Sequence, residues 1–171
     1  MNAATVDEAR AVRSGEELDI AAVDAWLKQA LPDLQGTPQV TQYAGGASNW
    51  TYRLQYANDD LILRRPPAGT KARSAHDMGR EYRIQQALQP VFPLVPAMRA
   101  HCADASVIGA EFYVMQRLAG IIPRKNLPRG VELSPQQVRQ LCLNVLDTLV
   151  ALHKVDVHAD GLEGIGKGAG Y

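Results

Sequence analysis

A cation on one predicted strand and a carboxylate on the helix that follows it are the residues whose types and spacing could act together chemically. Ile62 and Arg64 share one face of the strand, because side chains alternate along a strand. On the helix, one stripe that repeats every three or four residues consists of Met78, Glu81, Ile84 and Leu88. A carboxylate in an apolar stripe loses hydration and needs a positive partner. The pattern therefore predicts an ion pair between Glu81 and Arg64 or Arg65.

Such a pair has a known chemical use, since protein kinases hold nucleotide phosphates with a strand lysine that a helix glutamate positions. The plainer alternative is that Glu81 lies at the edge of the stripe with its carboxylate in water, and that Arg64 is an ordinary surface arginine. The pair taken alone favours this alternative. Features before and after it in the chain, in the order that a kinase-like lobe requires, favour the ion pair.

A glycine turn precedes the pair. β-branched and aromatic residues predict a strand on each side of Gly45, Gly46, Ser48 and Asn49. Glycines let backbone N–H groups approach phosphate oxygens, and Ser48 and Asn49 add side-chain donors. The turn is therefore a candidate phosphate-binding loop. A plain hairpin turn is the alternative, because paired glycines are also common in hairpins.

A strand that runs into a glycine follows the pair. Residues 112–118 are apolar enough for a buried strand, and Gly120 ends it. In a two-lobed kinase the strand that leaves the small lobe becomes the hinge and binds adenine through its backbone. Here Met115 would border the adenine pocket, while Gln116 and Leu118 would offer a carbonyl and an amide. A core strand that runs into a turn is the alternative, because backbone contacts leave almost no side-chain signature.

The order of these segments predicts an α+β fold, a protein-kinase-like small lobe with a five-stranded antiparallel sheet and a helix laid on it. The strands are predicted at 39–43, 50–56, 61–64, 98–102 and 112–118. Asp19 can cap a helix over 20–30, and Ser134 begins a later helix with a capping box and Pro135 at its first position. The predicted divisions are a polar tail, the small lobe with its leading helix, a hinge and linker, and the start of a truncated large lobe, at 1–18, 19–117, 118–133 and 134–171.

These segments resemble the N-terminal part of the aminoglycoside phosphotransferase and choline kinase family. The resemblance is strongest to the kinase-like domains found in, or related to, certain acyl-CoA dehydrogenase fusion proteins. It runs from about Val40 to the last residue. The motifs that carry it are GGASNWTYRL (45–54), LILRRPPAG (61–69), SAH (74–76), REYRIQQAL (80–88), FYVMQRLAG (112–120) and ALHKVDVHADGL (151–162).

The resemblance implies an ATP-dependent phosphotransferase that uses Mg²⁺ and transfers phosphate to a hydroxyl of a small molecule. Ser48 and Asn49 would lie over the phosphates. Arg64, paired with Glu81, would take the place of the family's usual lysine, a change that keeps the charge but alters the geometry. The remaining nucleotide contacts would come from Gly45, Gly46, Ile62, Met115, Gln116 and Leu118. The alternative function is a kinase-like module that binds a nucleotide or a partner without catalysis.

The family's catalytic loop, H-x-D-x-x-x-x-N, is expected after Tyr171, together with the residues that bind magnesium. An H-x-D begins at His158, but Ile165 stands five residues after Asp160, where the family has its metal-binding asparagine. A second false match, G-x-x-x-x-G-K at 161–167, lacks the serine or threonine that should follow the lysine. We therefore expect a truncated chain that is inactive alone and has no catalytic residue of its own.

Composition and charge limit the kinds of partner and the cellular location that the sequence supports. The formal net charge is zero, which gives no support for a nucleic-acid or membrane surface. No apolar run could span a bilayer and the N-terminus lacks the apolar core of a secretory signal, so we expect a cytoplasmic protein. Cys102 and Cys142 are predicted as reduced core residues. An apolar stripe within 138–152 needs cover, so we expect the chain to associate or to be poorly stable as a monomer. The alternatives are self-association through this helix, folding of the helix back onto the sheet, and aggregation.

Overall fold

The computed structural model describes residues 9–44, 49–67, 77–122, 127, 130–158, 161–162 and 164–165. Its helices and strands, in chain order, are α1 (Ile20–Ala30), β1 (Gln39–Gln42), β2 (Trp50–Gln55), β3 (Asp60–Arg65), α2 (Met78–Leu88), β4 (Met98–Cys102), β5 (Phe112–Gln116) and α3 (Pro135–His153). The five strands form one antiparallel sheet in the order β1-β2-β3-β5-β4. The fold is the α+β, kinase-like small lobe that the sequence predicts, with α3 following it.

One face of the sheet carries the hydrophobic core and is covered by α1. Alternate strand residues point to this face and meet Val23 and Leu27, the buried residues of α1. The Trp26 ring meets the Phe112 ring edge-on, with 5.2 Å between centroids. Other buried members of this core are Leu18, Leu34, Tyr52, Leu54, Tyr56, Leu61, Leu63, Ala100, Cys102 and Val114. The residues that alternate with them on β3 and β5 therefore face the opposite side of the sheet.

A segment before α1 extends the sheet beyond β1. Arg10 and Gln42 exchange two backbone hydrogen bonds of 2.8 Å each. The buried Gln42 side chain also bonds to the Glu16 carboxylate, and Leu18 is buried in the core. Residues 9–18 belong to the predicted polar tail, but their polar groups find partners at the edge of the sheet. The sequence pattern does not reveal this, because the segment has no strand-like alternation.

The opposite face of the sheet is partly covered by α2. Asp77 caps this helix by accepting a 2.7 Å hydrogen bond from a backbone N–H of the first turn. The helix packs on β4 and β5, and the Tyr82 ring stacks on the His101 ring at 5.3 Å between centroids. A Cβ at Gly79 would lie 2.9 Å from Glu111 Oε1, so a larger residue there would displace the side chain that pairs with His101 at 2.7 Å. α2 is therefore packed against the edge strand β4 and its neighbour β5 on that face.

The predicted start of α3 is confirmed, since Ser134 and Gln137 form the reciprocal hydrogen bonds of a capping box. None of the residues of α3 is buried. Its exposed large apolar side chains are Val138, Leu141, Leu143, Val145, Leu146, Leu149, Val150 and Leu152. Cys142 is exposed as well, so the prediction of two core cysteines holds for Cys102 and is wrong for Cys142. The reason is that nothing among the described residues covers α3. Within the same residues, no helix combines the length and apolarity needed to cross a membrane.

Candidate functional site

The Glu81 carboxylate lies at the centre of a polar cluster between α2 and the sheet. Asn49 Nδ2 donates to Glu81 Oε1 at 3.0 Å, and the Tyr113 hydroxyl donates to Glu81 Oε2 at 3.0 Å. Arg64 Nη2 lies 3.5 Å from the same Oε2. Glu81 therefore faces the sheet and contacts Arg64, as the sequence predicts.

Strand alternation determines which of the two neighbouring arginines meets Glu81. Arg64 lies on the face of β3 that α2 covers. Arg65 points to the other face, where its guanidinium lies over the Trp50 ring at 5.4 Å and its Nε donates to the Pro66 carbonyl oxygen. Arg65 is only 8% exposed there, which places it away from a ligand on the α2 face. The sequence left open whether Arg64 or Arg65 pairs with Glu81, and the structure shows that it is Arg64.

Tyr113 is a member of this cluster that the sequence reasoning missed. It lies directly opposite Arg64 in the β3–β5 ladder, so the two side chains share a face. Its side chain is fully buried, and burial raises the pKa of the Tyr113 phenol to about 12, with nearby Glu81 adding to the rise. The phenol therefore stays protonated at neutral pH and remains a hydrogen-bond donor. The signal that would have found it is the strand register, which a single sequence does not give.

The Arg64 guanidinium is only partly satisfied by the protein. Its contact with Glu81 is longer than a charge-assisted hydrogen bond, which is typically about 2.7–2.9 Å. Its Nε is buried and has no hydrogen-bond partner among the described residues. The side chain as a whole remains 31% exposed. Because the guanidinium forms no close ion pair and is partly exposed, its exposed donors can bind an anion.

A cavity of about 450 Å³ opens on the same face of the sheet, next to the end of β5. Ile62 and Met115 stand opposite each other in the β3–β5 ladder and form its apolar floor. The other lining residues are Tyr43, Thr51, Pro96, Gln116, Arg117, Leu118, Ala119, Gly120, Ile121 and Ile122. The predicted residues Ile62, Met115, Gln116 and Leu118 are thus brought together around one space.

Backbone groups border this cavity where β5 ends. The Gln116 N–H donates to the Ala97 carbonyl oxygen at 2.8 Å, and the Arg117 N–H donates to the Asp60 carbonyl oxygen at 3.0 Å. Since the N–H and C=O of one extended residue point to the same edge, the Gln116 carbonyl also faces away from β3. The Leu118 amide takes part in none of the hydrogen bonds found within the described part of the chain. The segment therefore offers an acceptor on Gln116 and a donor on Leu118, two positions further along the chain.

A charged network at the rim of the cavity fixes this segment, and it too was missed. The Asp60 carboxylate accepts two hydrogen bonds of 2.8 Å from Arg53 and one of 3.2 Å from Arg117. Arg117 Nε in turn donates to the Tyr43 hydroxyl at 2.9 Å. Burial would raise the pKa of the Asp60 carboxyl, but the two arginines outweigh burial and the pKa lies below its usual range. The network ties β2, β3 and Tyr43, the residue after β1, to the chain that leaves β5.

Some predicted site residues lie outside the described part of the chain. Gly45, Gly46 and Ser48 of the glycine turn belong to this group, and so does Asp160 of the H-x-D match. His158 is described, is exposed and donates its backbone N–H to Asp156. No group of three or more His, Cys, Asp or Glu side chains that could hold a metal ion occurs among the described residues.

Comparison with known proteins identifies the family of the chain. The sequence profile of the phosphotransferase enzyme family matches residues 39–171. This range covers most of the chain, and the chain belongs to this family. The resemblance inferred from the motifs is therefore confirmed.

Relatives with curated names place the chain within the family. Acyl-CoA dehydrogenase family member 11 of Rattus norvegicus is 38% identical over 159 residues, which are 91% of this chain and 20% of that protein. Acyl-CoA dehydrogenase family member 10 of Mus musculus is 34% identical over 167 residues, 97% of this chain and 15% of that protein. The chain thus spans about a fifth or less of the length of these relatives.

A solved structure supports the fold. The crystal structure of a "putative aminoglycoside phosphotransferase" from Ralstonia eutropha JMP134 superposes with a TM-score of 0.72 at 31% sequence identity. The match covers 91% of this chain and 44% of that chain. The small lobe and the segment after it therefore have the architecture of a phosphotransferase.

Proposed function

We propose that this chain is the ATP-binding lobe of a phosphotransferase that transfers phosphate to a hydroxyl of a small molecule. The observation that carries the proposal is that the cavity and the Arg64–Glu81 pair lie on one face of β3. Ile62 lines the cavity and Arg64 follows it two residues later on that face. The spacing of two strand residues is about 7 Å. A base in the cavity would therefore direct its sugar and phosphates along the strand towards Arg64.

The chemistry of the cavity suits a purine base. Its apolar floor, formed by Ile62 and Met115, can pack against a flat ring. The Gln116 carbonyl can accept from an amino group on the edge of the base, and the Leu118 amide can donate to a ring nitrogen. The partly satisfied guanidinium of Arg64 then supplies positive charge for the phosphates, with Glu81 positioning it.

Magnesium and the acceptor hydroxyl belong to the part of the proposal that rests on the family. Mg²⁺, when bound, neutralises phosphate charge during transfer. The described residues hold no cluster of ligands for it, so we assign its ligands to other residues. What the described residues contribute is binding of the base, orientation of the phosphates and one cation beside them.

Calorimetric titration of the purified chain with ATP and with adenosine tests this proposal. Replacing Leu118 with proline removes its amide donor, and we expect both ligands to bind more weakly. Leu118→Ala is the matched control, since it changes the exposed side chain and keeps the N–H. Arg64→Gln should weaken ATP binding and leave adenosine binding unchanged. A comparable arginine outside the site, Arg99, pairs with Asp59, so Arg99→Gln should change neither.

The outcome that contradicts the proposal is equally specific. Wild-type chain that takes up neither ligand at millimolar concentrations would show that the cavity is not a nucleoside site. Equal losses of ATP and adenosine binding in Arg64→Gln would show that Arg64 does not act on the phosphates.

A further inference from the structure

We infer that Tyr113 is a positioning residue for the Arg64–Glu81 pair. Its hydroxyl holds Glu81 in place, so that Arg64 stays available to the phosphates of the nucleotide. This inference rests on the proposed function, because it assigns a role in nucleotide binding. Tyr113 lines neither the cavity nor the exposed surface. Its ring lies 5.9 Å from the Arg64 guanidinium, but the role inferred here belongs to its hydroxyl, which acts through Glu81.

The distances show which groups hold Glu81. Its two oxygens receive hydrogen bonds of 3.0 Å from Asn49 and Tyr113, which are both uncharged donors. The contact with the cation, Arg64, is the longest of the three at 3.5 Å. Glu81 is therefore held in place chiefly by neutral groups, and its position does not depend on a close ion pair.

Tyr113 is itself fixed in a directed chain of hydrogen bonds. Gln85 Nε2 donates to the Tyr113 hydroxyl oxygen at 3.4 Å and to the backbone oxygen of Glu81 at 3.1 Å. The Tyr113 hydrogen is then directed to Glu81 Oε2. This chain links β5, which carries Tyr113, to the middle of α2.

The other end of the cluster is fixed as well. Asn49 is only 4% exposed and lies directly before the first residue of β2. Its bond to Glu81 Oε1 connects that position to α2. With Asn49 on one oxygen and Tyr113 on the other, Glu81 retains two hydrogen bonds when Arg64 moves towards a phosphate.

Loss of the Tyr113 hydroxyl would change which groups hold Glu81. Glu81 Oε2 would lack its donor, and the Arg64 guanidinium already lies 3.5 Å from this oxygen. A carboxylate and a guanidinium that are free to approach form a charge-assisted pair at about 2.7–2.9 Å. Arg64 would then be drawn to Glu81 and away from the phosphates.

Nucleotide titration of Tyr113→Phe tests the inference, because phenylalanine keeps the buried ring and removes only the hydroxyl. We expect ATP to bind about tenfold more weakly, the size expected for a lost hydrogen bond to a charged group, with adenosine binding unchanged. Tyr82→Phe is the control, since Tyr82 is also on the α2 side of the sheet and its hydroxyl bonds to Gln86 instead of Glu81.

A double-mutant cycle separates positioning from a general structural effect. If Tyr113 acts through Arg64, Tyr113→Phe should have no further effect on ATP binding in an Arg64→Gln background. Additive losses in the double variant, an equal loss of adenosine binding, or unchanged ATP binding in Tyr113→Phe would each overturn the inference while the wild type still binds ATP. A wild type that binds neither ligand would instead overturn the proposed function, and this role with it.

Discussion

Replacing Asp60 with asparagine should loosen the segment that leaves β5 and lower the stability of the lobe. Asparagine keeps the size of the side chain but removes the charge, and it turns an N–H donor towards one of the arginine donors. Asp60 accepts three side-chain hydrogen bonds, two from Arg53 and one from Arg117. The Arg117 side chain is only 11% exposed and would lose its counter-charge.

The size of the effect follows from these contacts. Hydrogen bonds to charged groups contribute about 1.5–3 kcal/mol, and Asp60 is 34% exposed, so solvent screening favours the lower part of that range. We expect a loss of about 2 kcal/mol, which corresponds to a shift of about 1 M in the urea midpoint for typical slopes. Asp59→Asn is the matched control. Asp59 pairs with the partly exposed Arg99, and its loss should amount to less than about 1 kcal/mol.

The pH dependence gives a second test of the same network. The pKa of Asp60 is lowered in the folded chain, because the attraction of Arg53 and Arg117 outweighs burial. Its contribution is therefore present above the unfolded pKa of about 3.9 and is lost as the pH falls through the folded pKa. The difference in urea midpoint between wild type and Asp60→Asn should shrink as the pH is lowered from 7 towards the folded pKa. Equal midpoints at pH 7, or a difference that does not change with pH, would refute the reasoning.

Two other predictions concern α2 and α3. Gly79→Leu should destabilise the lobe by about 1–3 kcal/mol in urea unfolding, because even a Cβ at this position would lie 2.9 Å from Glu111 Oε1. Gly79→Ala should be milder, since the gain in helix propensity offsets the cost of displacing that side chain. Equal urea midpoints for Gly79→Leu and wild type would contradict the packing described. The wild-type chain should sediment with a concentration-dependent mass, because the exposed apolar side chains of α3 need cover. Val145→Glu combined with Leu149→Glu should restore a monomer. A wild type that stays monomeric at all concentrations would contradict this prediction.

Local chemistry made several elements predictable. The helix at 20–30 is found as predicted, with Asp19 accepting from the Ala22 N–H at 3.0 Å. β4 has the predicted bounds of 98–102. The contact between Glu81 and Arg64 was predictable, because a carboxylate in an apolar stripe requires a positive partner and the preceding strand carries two arginines. Each of these inferences depends on residues that are near in the chain.

Strand ends were less predictable, because pairing between strands determines them. β5 ends at Gln116, two residues before the predicted end at Leu118, since the β3–β5 ladder ends at the pair of Gln116 and Leu61, followed only by one backbone hydrogen bond from Arg117 to Asp60. β3 begins earlier than predicted, at Asp60, because Asp60 pairs with Gln55 of β2. Neither partner can be assigned from periodicity alone.

The missed members of the site depend on the same long-range information. Tyr113 and Arg64 are 49 positions apart in the chain, and only the β3–β5 register puts them on one face. Arg117 reaches Tyr43 across a separation of 74 residues. The sequence shows the residue types in both cases and not their proximity. Cys142 illustrates the converse, since its apolar neighbours in sequence predict burial and its helix has no covering element among the described residues.

The claim that a nucleotide lies along the α2 face of β3 can be tested most directly by ¹H–¹⁵N NMR titration of the chain with ATP. We predict that the largest shifts fall on the amides of Ile62, Arg64 and Leu118 and on the Arg64 side chain, with adenosine shifting only those nearest the cavity. Residues of the α1 core, such as Leu54, should shift little. Spectra that do not change at millimolar ATP, or changes confined to the α1 side of the sheet, would contradict the account.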